Sequence, residues 1–318
     1  MAPVTPGIHH VTAIVGDPQR NADFYVGVLG LRFVKKTVNH DDTGTYHFYF
    51  GDGEGTPGTN ITFFPWGEQG QRGTFGAGQT QTTAYLVDED SLDYWADRLA
   101  AHDVEVTREK RFDETVLGFE DPDGIGLELV AADAPSDATP WADSPVPEAH
   151  QLKGFYSVTL AVSEFGPTEE ILTDVLGFEH EATDGGRRRY RSATGGPGSV
   201  VDLVETDQPR GRMGAGTVHH VAFEAADEAT MREFREAYKQ KEMKPSEVID
   251  RKYFRALYAR EPGGVLFELS TPGPGFAVDE ALDSLGTSLT LPEWLESDRD
   301  VIERQLLPFD GPSIPAEK

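Results

Sequence analysis

Four segments of this 318-residue chain repeat one order of local patterns, and that repeat limits its folds more than any other feature. The segments begin near Gly7, Thr80, Lys153 and Thr217. Each holds a short β-like run, a helix-like run, then several β-like runs ending in glycine and an apolar strand. The first reads HHVTAIV, PQRNADFYVGVLG, LRFVKKTVN, TYHFYFGD and GTNITFFP; the third follows with YSVTLAV, GPTEEILTDVLGFEHEA, RRRYRSA and GSVVDLVE. The second runs from TTAYLVD through SLDYWADRLAAHDVEV to FEDPDGIGLELV, and the fourth from HHVAFEA through ATMREFREAYKQKEM to YAREPGGVLFELS. The pattern predicts an α+β fold built from four βαβββ modules. The Pro-, Ala- and Asp-rich stretch AADAPSDATPWADSPVPEAH predicts a break between modules two and three. The expected organisation is therefore two modules in 1–135, a linker over 136–151, two modules in 152–275, and an arm over 276–318. Within the arm, Pro292 and spaced apolar residues predict a short helix from Trp294 to Leu306 that packs on the body.

The repeat locates chemistry by its exceptions. Modules one and four open on paired histidines, His9–His10 and His219–His220, where module three has YSVT and module two offers Thr82 and Thr83. Strand alternation would send one imidazole of each pair into a concave face and turn its neighbour away or toward the rim. Glu268, on the last strand of module four, would lie near the first strand of that module in an antiparallel sheet. Two histidines and one carboxylate with open positions form the facial triad of non-haem Fe(II) sites. Glu128 holds the matching place in module two without histidines, which predicts a strand carboxylate in a polar network. Module one ends in GTNITFFP with no carboxylate, so three protein ligands are expected, with Thr62 near the place a fourth would occupy. His47 reads as a half-buried strand residue rather than a ligand.

Composition narrows the alternatives. The absence of cysteine excludes disulfides, thiolate ligands and cysteine nucleophiles, so a metal must be held by His, Asp, Glu or water. A net charge of −27, spread along the chain, argues against nucleic acid or an anionic membrane as partner and matches the surface of a protein from a salt-loving organism. No run of 18 apolar residues occurs and the N-terminus has no basic or apolar leader pattern, so a cytoplasmic protein is expected. The sequence leaves a homo-oligomer open.

From Gly7 to about 308, the segments quoted above, with DDTGTYHFYFGD, GTPGTNITFFPW, DRKYFRALYAREPGGVLFELSTPGPGF and the LPEWLE tail, resemble the ring-cleaving dioxygenases of the vicinal oxygen chelate superfamily. The likeness is to the hydroquinone-type branch. It implies two vicinal-oxygen-chelate domains, with a metal where the first and fourth modules meet. Carried over residue by residue, it implies His10, His220 and Glu268 as ligands of Fe(II), with Mn(II) able to use the same set. It also places His9, His219, Thr12, Arg251 and Tyr258 beside a small aromatic substrate, with O2 as co-substrate. Arg255 competes with Arg251 for that position. His9 or His219 would exchange a proton near neutral pH, Arg251 would stabilise anionic oxygen, and Tyr258 would hydrogen-bond a phenolate. Two other readings share the fold: a glyoxalase-like isomerase or lyase using Zn or Ni, which would want a fourth protein ligand, and a metal-free small-molecule binding protein, which need not keep the triad.

Overall fold

The computed structural model describes residues 3–68 and 70–314. All four expected modules are present. Module one comprises β1 (Ile8–Val15), helix α1 (Pro18–Ala22) continued by a π-helical turn over Asp23–Val28, β2 (Arg32–Asn39), β3 (Asp42–Gly51) and β4 (Asn60–Pro65). Asp17 starts the helix by accepting from the Arg20 amide at 2.7 Å, with Pro18 in the first turn. Module two holds β5 (Gln79–Val87), α2 (Leu92–Ala101), β6 (Thr107–Arg111), β7 (Glu114–Glu120) and β8 (Gly126–Ala131). Module three holds β9 (Phe155–Val162), α3 (Phe165–Asp174), β10 (Phe178–Asp184), β11 (Arg187–Ser192) and β12 (Val200–Glu205). Module four holds β13 (Thr217–Glu224), α4 (Glu228–Gln240), β14 (Ile249–Asp250), β15 (Phe254–Arg260) and β16 (Leu266–Pro274).

In every module the last strand lies parallel to the first, as β4 does to β1 and β16 to β13. Glu268 thus reaches the first strand of its module through a parallel ladder, where an antiparallel one was expected. The remaining strands of each module follow as antiparallel neighbours.

The modules pair across the sequence. One eight-stranded sheet has the order β14-β15-β16-β13-β1-β4-β3-β2 and joins module four to module one; the other, β10-β11-β12-β9-β5-β8-β7-β6, joins three to two. Each of the stretches 1–135 and 152–275 therefore contributes one module to each sheet. The segment between them is ordered against module one: Gly53 donates to the Thr139 carbonyl at 2.7 Å, and the Thr139 amide donates to Asp52 at 2.7 Å.

Period-two alternation sorts the first sheet into two faces. Val11, Phe48, Phe50, Ile61, Phe63, Val221, Phe223, Phe267 and Leu269 enter the main apolar core. Their strand neighbours His10, Thr12, His47, Thr62, His220 and Glu268 take the opposite face, so one strand supplies both core and site. The arm closes over module one: Lys35, fully buried, pairs with Asp279 at 2.7 Å and Glu280 at 2.5 Å, and Leu291 and Ile302 pack on Val38. Its α-helix, α5, spans Arg299–Gln305; the expected first turns are a 3-10 segment over Glu293–Asp298. No helix among the described residues is long and apolar enough to cross a membrane.

A carboxylate repeatedly caps the turn before the last strand. Asp52 accepts from the amides of Glu54, Gly55 and Thr56, Asp121 from Asp123 and Ile125, and Glu261 from Gly263 and Val265. Asp121 is buried, which pushes its pKa up to about 7 against the opposing effect of those amides. Because its folded pKa exceeds the unfolded value of about 3.9, its contribution to stability is complete below that value and is lost as pH rises through about 7. Asp121→Asn keeps the amide acceptor and cannot ionise. Urea unfolding between pH 4 and 8 is expected to show wild type losing stability relative to the variant as pH rises, by at most about 4 kcal/mol. A flat difference would mean that Asp121 is charged throughout.

Candidate metal centre

His10 on β1, His220 on β13 and Glu268 on β16 converge on one point. Their ligand atoms lie within 4.8 Å of one another and all three residues are buried; they are the one such metal-capable group among the described residues. The separations are 3.2 Å for His10 Nε2 to His220 Nε2, 2.8 Å for His220 Nε2 to Glu268 Oε2, and 3.5 Å for His10 Nε2 to Glu268 Oε2. Three donors on adjacent octahedral positions about 2.1 Å from a metal stand about 3.0 Å apart, so this set is spaced for one ion.

The first histidine of each pair explains the orientation of the second. The β1–β13 ladder contains two irregularities: His9 is the extra residue between the pairs Ile8–Phe223 and His10–Ala222, and His219 is the extra residue between Thr12–His220 and Ala13–Val218. Both are bulge residues, a device that suspends strict alternation locally and brings neighbouring side chains together. His9 Nδ1 lies 2.9 Å from His10 Nδ1, and His219 Nδ1 lies 2.7 Å from His220 Nδ1. His9 Nε2 is 3.1 Å from the Thr271 carbonyl, which can only accept. The order of protons follows: His9 Nε2–H donates to Thr271, His9 Nδ1 accepts from His10 Nδ1–H, and the lone pair of His10 Nε2 faces the centre. In module four, a metal held by His220 Nε2 would place the His220 proton on Nδ1, donating to His219 Nδ1, and leave the His219 proton on Nε2.

Two imidazole nitrogens and a carboxylate oxygen then meet at one buried point. Glu268 Oε1 is occupied by the Ser270 hydroxyl at 2.7 Å, whereas Oε2 is buried without a donor. Burial works against charge on Glu268, yet the imidazoles of His10 and His220 hold its pKa well below the ordinary carboxylate range. Burial lowers the pKa of His220, and pushes those of His9 and His219 down to about 3 with help from their neighbouring histidines. His9 and His219 are therefore neutral hydrogen-bonding groups at pH 7, not groups titrating near neutrality as the sequence reading expected. A carboxylate facing two imidazole nitrogens in a buried site suits a cation, so the residues present fit a metal ion.

A cavity of about 390 Å³ opens above the three candidate donors. Tyr258 and Arg251 enter it from module four, with Arg251 Nε 3.3 Å from the Tyr258 hydroxyl and Arg251 Nη2 2.8 Å from Asp41 on the β2–β3 turn. Arg255 instead pairs with Asp250 and Glu228, outside the cavity. His219 lines the cavity; His9 does not, and lies beside Phe254 on the far side of His10. Thr12 is buried behind the wall. It contacts Thr62 at 2.7 Å, which contacts His47 Nε2 at 2.9 Å, whose Nδ1 lies 2.9 Å from the Tyr49 hydroxyl.

His47, Tyr49, Asp41, Phe64 and Phe254 are thus cavity residues that sequence reasoning either missed or set aside. The signal for His47 and Tyr49 was their even spacing on β3, opposite in phase to core Phe48 and Phe50.

The other sheet shows what the same positions do without histidines. Opposite Ala222, Ala84, Thr159 and Thr12 stand Glu268, Glu128, Asp202 and Thr62. The ladder also aligns Gln81–Thr82, rather than Thr82–Thr83, with His219–His220, and Gln81 repeats the bulge. Glu128 meets the Arg111 guanidinium at 2.8 Å, and Asp202 pairs with Arg189 at 2.9 Å. In this half the cation is a side chain. A more open cleft of about 930 Å³ runs beside Glu128.

Comparison with known proteins follows the same outline. The family model described as "Glyoxalase/Bleomycin resistance protein/Dioxygenase superfamily" matches residues 7–129 and 154–269. The chain is 45% identical to "Putative ring-cleaving dioxygenase MhqO" of Bacillus subtilis (strain 168), over 98% of each chain. It is 34% identical to the "Chlorohydroquinone/hydroquinone 1,2-dioxygenase" of Sphingobium indicum, over 94% of this chain and 95% of that one. The crystal structure of a "putative dioxygenase" from Bacillus subtilis subsp. subtilis str. 168 superposes with a TM-score of 0.93 at 44% identity, covering 97% of this chain and 99% of that one.

Proposed function

The chain belongs to the glyoxalase/bleomycin resistance protein/dioxygenase superfamily, and from that premise we propose that it is an Fe(II)-dependent dioxygenase that opens the ring of a hydroquinone or related phenol. The observation that carries this reading is a centre with three protein donors and, among the described residues, no fourth. Thr62 holds the ladder position corresponding to Glu268, but its hydroxyl is engaged by Thr12 and His47. Coordination positions therefore remain for exogenous oxygen atoms. A glyoxalase-like isomerase would use a further protein ligand there.

The metal, Fe(II) or Mn(II) in the same donor set, would supply neighbouring positions for a phenolate oxygen and O2 and a path for electron density between them. The protein would do the rest. Phe64 and Phe254 line the aromatic cavity and hold the ring out of water. Tyr258 and the Arg251 guanidinium orient the phenolic oxygen and favour its anionic form. The His219 Nε2–H donates to oxygen entering from its side, and His9 keeps His10 in the ligating tautomer. The net change adds both atoms of O2 across one ring bond. The bond beside the hydroxyl-bearing carbon breaks, and the ends become a carboxylic acid and, where the neighbouring carbon carries hydrogen, an aldehyde.

Protein reconstituted anaerobically with Fe(II) is expected to consume one O2 per molecule of hydroquinone or methylhydroquinone, with a ring-opened absorbance rising in step. No uptake with hydroquinones or catechols, together with turnover of a thiol adduct by Zn- or Ni-loaded protein, would replace this reading with the isomerase.

A further inference from the structure

A second cavity, about 260 Å³, backs onto the metal centre and shares His219, His220 and Leu266 with the first. Arg210, Arg212 and Arg260 line it. The chain carries 55 acidic residues against 28 lysines and arginines, yet none of these three guanidiniums has a carboxylate within 4.0 Å among the described residues. Their protein contacts are neutral: Arg260 donates to the Gly264 carbonyl at 2.8 Å, and Arg212 to the Thr74 hydroxyl at 3.4 Å. Arg210 and Arg260 lie close enough for Arg210 to lower the pKa of Arg260, second only to burial.

Glycine keeps the space between them open. A Cβ at Gly264, whose φ is +111°, would meet the Gly78 Cα at 3.1 Å and Arg210 Nη2 at 3.2 Å. The nearest acid in sequence, Glu261, acts on Arg260 through space in the direction that raises its pKa, but makes no ion pair with it within 4.0 Å; its oxygens are occupied by the Gly263 and Val265 amides and the Thr168 hydroxyl.

We propose that this cavity is an anion subsite that takes the carboxylate of a small organic acid, placed one histidine wall from the reacting ring. Unpaired guanidiniums offer the planar fork that fits a carboxylate, and a concave site concentrates their field within an otherwise acidic surface. Two sources share this chemistry: a ring substituent of a carboxylated phenol, or the acid formed when a neutral ring opens. The choice between them rests on the ring-cleaving reading; the affinity for a carboxylate does not.

The test is calorimetric titration of the full-length metal-loaded chain with cis,cis-muconate as the carboxylate probe and methylhydroquinone as the neutral one. Wild type is compared with Arg210→Gln/Arg260→Gln and, in case that pair fails to fold, with Arg212→Gln. The ratio of muconate to methylhydroquinone affinity is expected to fall about tenfold or more in the double variant, and KCl should weaken muconate binding to wild type. Equal ratios in wild type and both folded variants would overturn the proposal, as would no muconate binding to wild type. Kinetics then separate the sources. A drop in kcat/KM for 2,5-dihydroxybenzoate relative to methylhydroquinone assigns the subsite to substrate, whereas weaker inhibition by the ring-opened acid assigns it to product. Absence of oxygen uptake would sink the ring-cleaving reading while leaving the titration able to decide on the anion site.

Discussion

Glu268→Gln is expected to remove the metal and the oxygen uptake together while leaving the fold intact. The carboxylate is the only anion in the candidate donor set, and its Oε2 is buried without a hydrogen-bond donor. An amide in its place is nearly isosteric and can keep the Ser270 hydrogen bond through its oxygen. It offers the metal a neutral group, however, or its two N–H donors. The loss should exceed the roughly 10- to 100-fold typical of changes one shell further out. Metal content after gel filtration and oxygen uptake with methylhydroquinone both read it. Glu128→Gln is the matched control, since its partner is Arg111 in the other sheet: metal content per chain should not change. Full metal occupancy in the Glu268 variant would remove Glu268 from the ligand set.

His9→Ala should weaken metal affinity by about 10- to 100-fold, although His9 touches neither the metal position nor the substrate cavity. Its Nδ1 is the acceptor that keeps the proton of His10 on Nδ1, and the Thr271 carbonyl fixes that polarity. Without the acceptor, His10 is free to place its proton on Nε2, where it blocks ligation. His9→Asn, whose side-chain oxygen can accept the same proton, should recover part of the affinity. A packing defect alone would not be rescued in this way. Competition with a chelator, followed by metal-dependent protection against thermal unfolding, measures the effect directly. Wild-type affinity in His9→Ala would show that the bulge backbone orients His10 unaided.

Much of this centre was legible in the sequence because its chemistry departs from a repeat. Paired histidines at one strand position in modules one and four, and Glu268 at the end of module four, stood out against Thr82, Ser157 and the FFP ending of module one. The phase of His47 and Tyr49 on β3 sets them opposite core Phe48 and Phe50, but it does not place them, or Asp41, in the cavity. They belong to strands and turns of module one, and whether they face module four depends on which sheet edges meet. The bulges were equally hidden: alternation predicts opposite faces for His9 and His10, and only the β1–β13 ladder shows the extra residue that brings their Nδ1 atoms together.

By itself, then, the sequence determined four βαβββ modules, their order, and two histidine pairs with Glu268 as the pool of metal donors; the family resemblance alone singled out His10 and His220 within the pairs. The modules and that pool come from side-chain period and residue type within about fifty residues of chain. The resemblance implied that modules one and four meet; tertiary structure alone decided that they share one continuous sheet while two joins three, and that the crossover in each module brings its last strand parallel beside the first. It also decided that a guanidinium stands opposite Glu128 where Glu268 faces two imidazoles. Each of these depends on which sheet edges and side chains meet across distant parts of the chain, and the periodicity of a single strand carries no record of its neighbour.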